Sequence, residues 1–151
     1  MNTSLQIQND SQTSLNTTSL YFEVPRPLIL IAESDEEKRE LLKTLLDLYD
    51  VGVIEAQTGE EAMDVTVGAR PDLVLINTDL PGLDGFETTR LIRAIKSFDD
   101  MPIVFISHET ERIYRKKAFD VGGNCFHIAP LDLERLDHIL ENYLFCINGK
   151  F

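Results

Sequence analysis

The sequence predicts an α/β fold in which a doubly wound, five-stranded parallel sheet carries helices on both faces. From Leu28 onward, short apolar runs alternate five times with helical patterns, and such alternation is typical of a parallel sheet with crossover helices. The runs are apolar at consecutive positions, as expected for strands buried on both faces. With 151 residues, of which 43% are hydrophobic, the chain is long enough to bury a core without disulfide bonds.

The charge balance excludes several classes of function. Lys and Arg together number 14 against 26 for Asp and Glu, which gives a net charge of −12. A protein that binds nucleic acid or an anionic membrane surface would carry a basic patch, so we predict neither as a partner. Cys125 and Cys146 are too few for a disulfide framework, so the expected compartment is reducing and the expected location is cytoplasmic.

Composition divides the chain into three parts. Residues 1–26 are rich in Asn, Ser and Thr and predict a disordered tail, with a segment that orders on a partner as the alternative. Residues 27–146 carry the strand and helix pattern of one domain, and residues 147–151 form a short C-terminal tail. No effector domain is expected beside this domain, which favours a function carried by contacts with other proteins.

The first two strands and helices have marked limits. LILIA, from Leu28, is the first strand, and SDEEKRELLKTLLDLY after it repeats Leu at helical spacing. Ser34 and Glu37 form an S-x-x-E capping box that predicts where this helix begins. VGVIEA is the second strand, and Thr58 with Glu61 predicts the capping box of the second helix.

The remaining elements follow in the same order. DLVLIN and MPIVFIS are the third and fourth strands, and Asp84 caps the helix between them. A fourth helix runs from Arg112 to Asp120 and ends before Gly122, because glycine readily adopts the left-handed conformation of a helix end. NCFHI is the fifth strand. The last helix carries four large residues on one face: Leu133, Leu136, Leu140 and Tyr143.

Polar residues gather where the strands end, which is where ligands of a doubly wound sheet bind. The candidate site residues are Glu33, Ser34, Asp35, Asn77, Asp79 and Ser107. No glycine-rich phosphate loop and no G-x-S-x-G motif accompanies them, which argues against dinucleotide, P-loop and hydrolase sites. A flavodoxin-like small-ligand or enzyme domain that uses Glu33, Asp35 and Ser107 is kept as an alternative.

Several segments, in this order, resemble the receiver domain of two-component response regulators. LILIAESDEEKRELL is similar to its acidic-pocket strand and first helix, PDLVLIN with DLPGLDGFE to its phospho-acceptor strand and loop, and MPIVFIS and VGGNCFHIAP to its last two strands. The resemblance covers positions 27–146 and implies the flavodoxin-like strand order 2-1-3-4-5. It also implies a site where an Asp accepts a phosphoryl group, an acidic pair holds Mg²⁺, and a hydroxyl and a Lys bind the phosphoryl oxygens.

The chain departs from that pattern at the positions that carry the chemistry. Asn77 stands at the phospho-acceptor position and Ala129 at the lysine position, while Glu33 and Ser34 stand where the family has its acidic pair. A neutral amide is a weak nucleophile and does not form a normal acyl phosphate. We therefore predict a pseudo-receiver in two-component or phosphorelay signalling that acts without phosphorylation and is not an enzyme.

Other positions are kept or leave alternatives open. Ser107 and Phe126 occupy the two switch positions of the family, although Phe126 lacks a tyrosine hydroxyl. Asp79 is a candidate substitute acceptor, which would make the chain a working receiver. Glu33, Asp35 and Asp79 carry hard oxygen ligands suited to a divalent cation. A solvated acidic rim is the favoured interpretation, so we predict no metal and no cofactor.

A basic strip on the fourth helix is the candidate partner surface. Arg112, Arg115, Lys116 and Lys117 cluster there in an otherwise acidic chain. In the family that the chain resembles, the fourth helix, fifth strand and last helix form the surface on which partners dock, so the strip could steer an acidic partner. The predicted partner is a protein: a histidine kinase, another regulator or a second copy of the chain. A solvated helix face is the alternative.

Overall fold

The computed structural model describes residues 25–145. Residues 1–24 and 146–151 lie outside the described residues. They include Cys146, the whole predicted C-terminal tail (147–151) and all but the last two residues of the predicted N-terminal tail (1–26). Five strands alternate with five helices, and a 3₁₀ turn at Lys96–Phe98 and a π-helical turn at Glu141–Phe145 complete the described elements. The strands are β1 Leu28–Ala32, β2 Gly52–Ala56, β3 Leu73–Asn77, β4 Ile103–Ser107 and β5 Cys125–Ile128. The helices are α1 Glu36–Leu46, α2 Gly59–Ala69, α3 Gly85–Arg93, α4 Arg112–Asp120 and α5 Leu133–Leu140.

The strands form one parallel sheet in the order β2-β1-β3-β4-β5. This confirms the predicted fold class and the strand order that the family resemblance implied. Ala32 pairs with Ile76 between β1 and β3, and Asn77 pairs with Ile106 between β3 and β4. The carboxyl ends of the three central strands therefore meet at one edge, which is where the candidate site residues lie.

Alternate strand residues point into two separate cores, because successive side chains of a strand face opposite sides of the sheet. Leu30, Val74 and Phe105 pack on the side covered by α2, α3 and α4. Their neighbours Ile29 and Leu75 pack on the other side, against α1 and α5. All five side chains are at most 1% exposed, which explains the unbroken apolar runs in the sequence.

The start of α1 corrects one sequence prediction. Asp35, not Ser34, is the N-cap, and its Oδ1 accepts a hydrogen bond from the Lys38 amide at 3.1 Å. Ser34 instead offers its carbonyl to Arg39 at 3.0 Å, so the predicted capping box with Glu37 is wrong. A carboxylate one position further along supplies the same acceptor and also suits the positive end of the helix dipole.

The other predicted caps are confirmed with one difference. The Thr58 hydroxyl accepts from the Glu61 amide at 3.0 Å, and the Glu61 carboxylate accepts from the Gln57 amide rather than from the Thr58 amide. Asp84 caps α3 by accepting from the Glu87 amide at 2.8 Å. Each cap satisfies an amide that the first helical turn leaves without a partner.

Three leucines that belong to the helical patterns of the sequence are exposed. Leu48 is 66% exposed because α1 ends at Leu46, two residues before it. Leu41 is 47% exposed and Leu133 is 45% exposed. The buried face of α1 runs through Arg39, Leu42 and Leu46 instead. This places one charged residue in the helix face that packs against the sheet.

Candidate functional site

Glu33 and Asn77 form the centre of the site. Glu33 directly follows β1, and Asn77 is the last residue of the neighbouring strand β3. Each is only 6% exposed. The Asn77 Nδ2 donates to Glu33 Oε1 at 2.7 Å. The Asp79 amide donates to Asn77 Oδ1 at 3.0 Å, and the Asp35 amide donates to Glu33 Oε2 at 2.9 Å. The Asp79 amide can only donate, so the Asn77 atom that faces it must be the oxygen, and this fixes the orientation of the Asn77 side-chain amide. Glu33 and Asn77 are thus each held by two hydrogen bonds.

This arrangement replaces a charge repulsion with a hydrogen bond. A carboxylate at position 77 would place two negative groups in contact inside a buried site, which is strongly unfavourable. The Asn77 amide is neutral and donates directly to the Glu33 carboxylate. The pair is therefore stable without a metal ion, and it presents no carboxylate oxygen at position 77 for phosphorylation.

The other acidic candidates do not converge on this pair to form a metal site. Asp35 and Asp79 are exposed, and one Asp35 oxygen caps α1. Both Glu33 oxygens already face N–H donors. Within residues 25–145, no group of three or more His, Cys, Asp or Glu side chains is placed to hold a metal ion. The magnesium ion that the family fold implies thus does not fit the residues present, and Ser34, also exposed, adds no carboxylate.

Arg39 stabilises the backbone of the site, and this role was not predicted from the sequence. Its guanidinium donates to the carbonyls of Glu33 and Ser34, each at 3.0 Å, and to the Glu55 carboxylate at 3.1 Å. Lys43 also pairs with Glu55, at 2.9 Å. The Lys43 hydrogen bond, with a smaller contribution from Arg39, holds the pKa of Glu55 below its usual value. The available signal was the spacing of Arg39 from Leu42 on the buried face of α1.

Ser107 ends β4 and is fully buried. Its hydroxyl lies 2.8 Å from the Thr78 hydroxyl, and it accepts from the Glu109 amide at 3.0 Å. The Ser107 carbonyl accepts from the Ala129 amide at 2.8 Å. The hydroxyl at the predicted switch position is thus already hydrogen-bonded within the chain, and its partner Thr78 was not predicted from the sequence.

The two positions on β5 and after it are apolar. Phe126 is 3% exposed and packs in the core under α4, while the Arg115 guanidinium donates to its carbonyl at 3.2 Å. Ala129 is half-buried and lines a small cavity that Glu33 also lines. Glu33 is therefore hydrogen-bonded to Asn77 and shares a cavity wall with Ala129, whereas Asn77 does not line that cavity. The roles of all three stay predictions.

The basic strip on α4 divides into two parts. All four of its side chains are exposed. Arg112, Arg115 and Lys116 share a shallow depression with the apolar residues Ile113 and Phe119. The fourth member is set apart, since the Lys117 ammonium lies 4.7 Å from the centre of the Phe86 ring, on the α3 side. The candidate partner surface is thus three cations around two exposed apolar side chains.

Comparison with known proteins agrees with this fold. The model of the response regulator receiver domain family matches residues 29–141. The response regulator MprA of Mycolicibacterium vanbaalenii is 33% identical over 108 residues, which are 72% of this chain and 46% of that protein. This chain spans about half the length of the curated relatives that it matches.

Solved structures show the same fold. The receiver domain of a sensor histidine kinase from Pseudomonas aeruginosa, with a magnesium ion in its active-site cleft, aligns with a TM-score of 0.73 and 24% identity over 78% of this chain and 97% of that one. The chemotaxis protein CheY4 of Vibrio cholerae aligns with a TM-score of 0.74 and 23% identity over 79% of this chain and 99% of that one.

The family match describes the general behaviour of receiver domains, and the helix lengths bear on membrane insertion. Receiver domains are signalling domains rather than typical enzymes, and they interact with histidine kinases and other proteins. No helix within residues 25–145 is long and apolar enough to span a membrane. The sheet order is common to receivers and flavodoxin-like domains, and it is the family match that favours the receiver prediction over the flavodoxin-like enzyme hypothesis. This chain belongs to the response regulator receiver domain family of two-component signalling.

Proposed function

We propose that this chain is a pseudo-receiver, which signals through protein contacts in the cytoplasm without being phosphorylated and without catalysing a reaction. The observation that carries the proposal is the hydrogen bond from Asn77 Nδ2 to Glu33 Oε1. A receiver that accepts a phosphoryl group needs a carboxylate at this position, and here an amide is bound into the site by both of its polar atoms.

The remaining pocket supports the same proposal. A phosphoryl group adds about two negative charges, which a metal ion or a cation must neutralise. Glu33 contributes one negative charge, the acidic neighbour expected by the family is Ser34, and Ala129 supplies no ammonium. Ser107 is already bonded to Thr78. A dianion placed here would meet a carboxylate and no neutralising cation from these positions.

The output surface is the three-cation depression on α4. Arg112, Arg115 and Lys116 surround Ile113, which is 66% exposed, and Phe119, which is 45% exposed. Apolar area encircled by charge is typical of a surface that binds another protein. We propose an acidic protein partner, such as a histidine kinase, another regulator or the acidic face of a second copy.

Incubation with acetyl phosphate and Mg²⁺, followed by intact-mass measurement, tests the proposal. We expect no adduct of about 80 Da, the mass of one phosphoryl group. The matched control is the triple variant Ser34→Asp, Asn77→Asp, Ala129→Lys, which restores the groups of the family site on the same backbone. A stoichiometric adduct on the unaltered chain would contradict the proposal.

The alternative acceptor Asp79 is separated by the same experiment. Its carboxylate is exposed, and only its backbone amide contacts Asn77. If the unaltered chain is labelled and Asp79→Asn abolishes the label, the chain is a working receiver with a substitute acceptor. If the label persists in Asp79→Asn, another side chain carries it and Asp79 is excluded.

A further inference from the structure

Thr78 and Ser107 form a buried pair of hydroxyl groups at the carboxyl ends of β3 and β4. Ser107 is fully buried and Thr78 is 4% exposed, and their hydroxyl oxygens lie 2.8 Å apart. The Ser107 hydroxyl also accepts a hydrogen bond from the Glu109 amide at 3.0 Å. Because a hydroxyl carries one donor and two acceptor sites, Ser107 can bond to Thr78 and Glu109 at the same time.

The β4–α4 loop, residues 108–111, is held against the sheet by this pair. All four of its residues are exposed, so no buried side chain anchors it. Within residues 25–145, the bond from the Glu109 amide to the Ser107 hydroxyl is the one hydrogen bond that the backbone amides of this loop make. Glu111, the N-cap of α4, makes no capping hydrogen bond through its side chain. The position of the loop therefore depends on where the Ser107 hydroxyl points.

The loop leads directly into the three-cation depression on α4. Arg112 and Ile113 are the first two residues of α4, and both line the depression. A shift of the loop backbone at Glu109 therefore moves the end of α4 that carries one cation and one exposed apolar side chain of this surface. The direction of the Ser107 hydroxyl thus bears on the shape of the output surface.

We propose that Thr78 is a positioning residue, whose hydroxyl holds Ser107 in the rotamer that binds the Glu109 amide and so keeps the loop and the start of α4 in one arrangement. A buried hydroxyl without a partner is unfavourable, so the Ser107 rotamer that faces Thr78 is favoured over the others. Thr78 supplies from within the chain the partner that the family resemblance assigns to a phosphoryl oxygen. The inference rests on the proposed function, since it explains how the output surface is held without phosphorylation.

Hydrogen exchange of the backbone amides of the full chain, followed by NMR, tests the proposal. Thr78→Val removes the hydroxyl and keeps the approximate shape of the side chain. We expect the Glu109 amide to exchange about tenfold faster, which corresponds to the loss of about one hydrogen bond. The amide chemical shifts of Arg112 and Ile113 should change as well, because the start of α4 is no longer held in one arrangement.

Two matched variants show whether the hydroxyl of Thr78 is responsible. Thr89→Val also removes a buried threonine hydroxyl, but one that has no hydrogen-bond partner in the described part of the chain, so the exchange rate at Glu109 should not change. Thr78→Ser keeps the hydroxyl and should keep the exchange rate of the unaltered chain. An unchanged rate in Thr78→Val, or an equal acceleration in either of the other two variants, would overturn the proposal.

A measurement on the unaltered chain keeps the proposal testable if Thr78→Val fails to fold. A hydroxyl proton bound between Thr78 and Ser107 is buried, so it should exchange slowly with water and give its own NMR signal, with nuclear Overhauser contacts to both side chains. Absence of this signal would count against the proposal. Because these experiments contain no acetyl phosphate, their failure leaves the intact-mass test of the proposed function unaffected.

Discussion

Changing Asn77 to Asp should destabilise the protein in a way that depends strongly on pH. The substitution replaces a hydrogen bond of 2.7 Å to Glu33 with two carboxylates in contact. At that separation the repulsion is about 6 kcal/mol for an effective dielectric constant near 20. Uptake of one proton by the pair relieves part of it, since each unit of pKa is about 1.4 kcal/mol. We expect a net loss of roughly 3–4 kcal/mol at pH 7.5.

The direction of the pH dependence follows from linkage. The carboxyl pair has its proton affinity raised in the folded state, so stability is retained below the unfolded pKa of about 4 and is lost as pH rises through the folded pKa. The deficit relative to the parent chain should therefore be small near pH 4.5 and should be much larger near pH 7.5. Urea unfolding followed by circular dichroism measures it, since the chain has no Trp for fluorescence.

Asn77→Leu is the matched control, because it removes the hydrogen bonds without adding charge. Its loss of stability should change little between the two pH values. If Asn77→Asp is as stable as the parent chain at pH 7.5, or if its deficit does not grow with pH, the charge repulsion inferred from the Glu33 contact is wrong.

Three further predictions concern the surrounding scaffold. Arg39→Met should lower the free energy of unfolding by about 3 kcal/mol, because it leaves the Glu55 carboxylate and two carbonyls short of a donor; a loss under 1 kcal/mol in urea unfolding would contradict the bracing role. Gly85→Ala should lower the free energy of unfolding by about 2 kcal/mol or more, because the added Cβ would clash with the Asn77 carbonyl oxygen. Gly68→Ala is the control, because a Cβ at Gly68 meets nothing within 4 Å. Burial, with Arg135, His138 and Arg115 adding to it, lowers the pKa of His127, so stability should fall as pH drops below the unfolded pKa of about 6.5; His127→Gln should flatten that slope, and an unchanged slope would count against it.

The fold was predictable because its signal is distributed over whole segments. Every residue of β3 and β4 is buried, so the sequence shows unbroken apolar runs that a single exposed position would interrupt. The meeting of Glu33 and Asn77 also follows from sequence, since parallel strands bring their carboxyl ends to the same edge. Both inferences need only the order of the elements and the direction of the strands.

The details that were missed depend on atoms a few ångströms apart. Ser34 and Asp35 are neighbours and both residue types are good N-caps, so the sequence does not show at which of them α1 begins. The buried role of Arg39 requires Glu55, which lies 16 residues away in the chain. Thr78 bonds Ser107 across two strands, and a threonine in a loop gives no sign of such a partner. Lys117 is set apart from the other three cations of the strip because its ammonium lies over the Phe86 ring.

The bond between Thr78 and Ser107 has a consequence for how such a protein is regulated. It ties the first residue after β3 to the last residue of β4 through their side chains. If no covalent modification alters this hydrogen bond, every folded copy of the protein has the same conformation at these two positions. The signal from such a protein would then depend on its synthesis, its degradation and the partners that bind it.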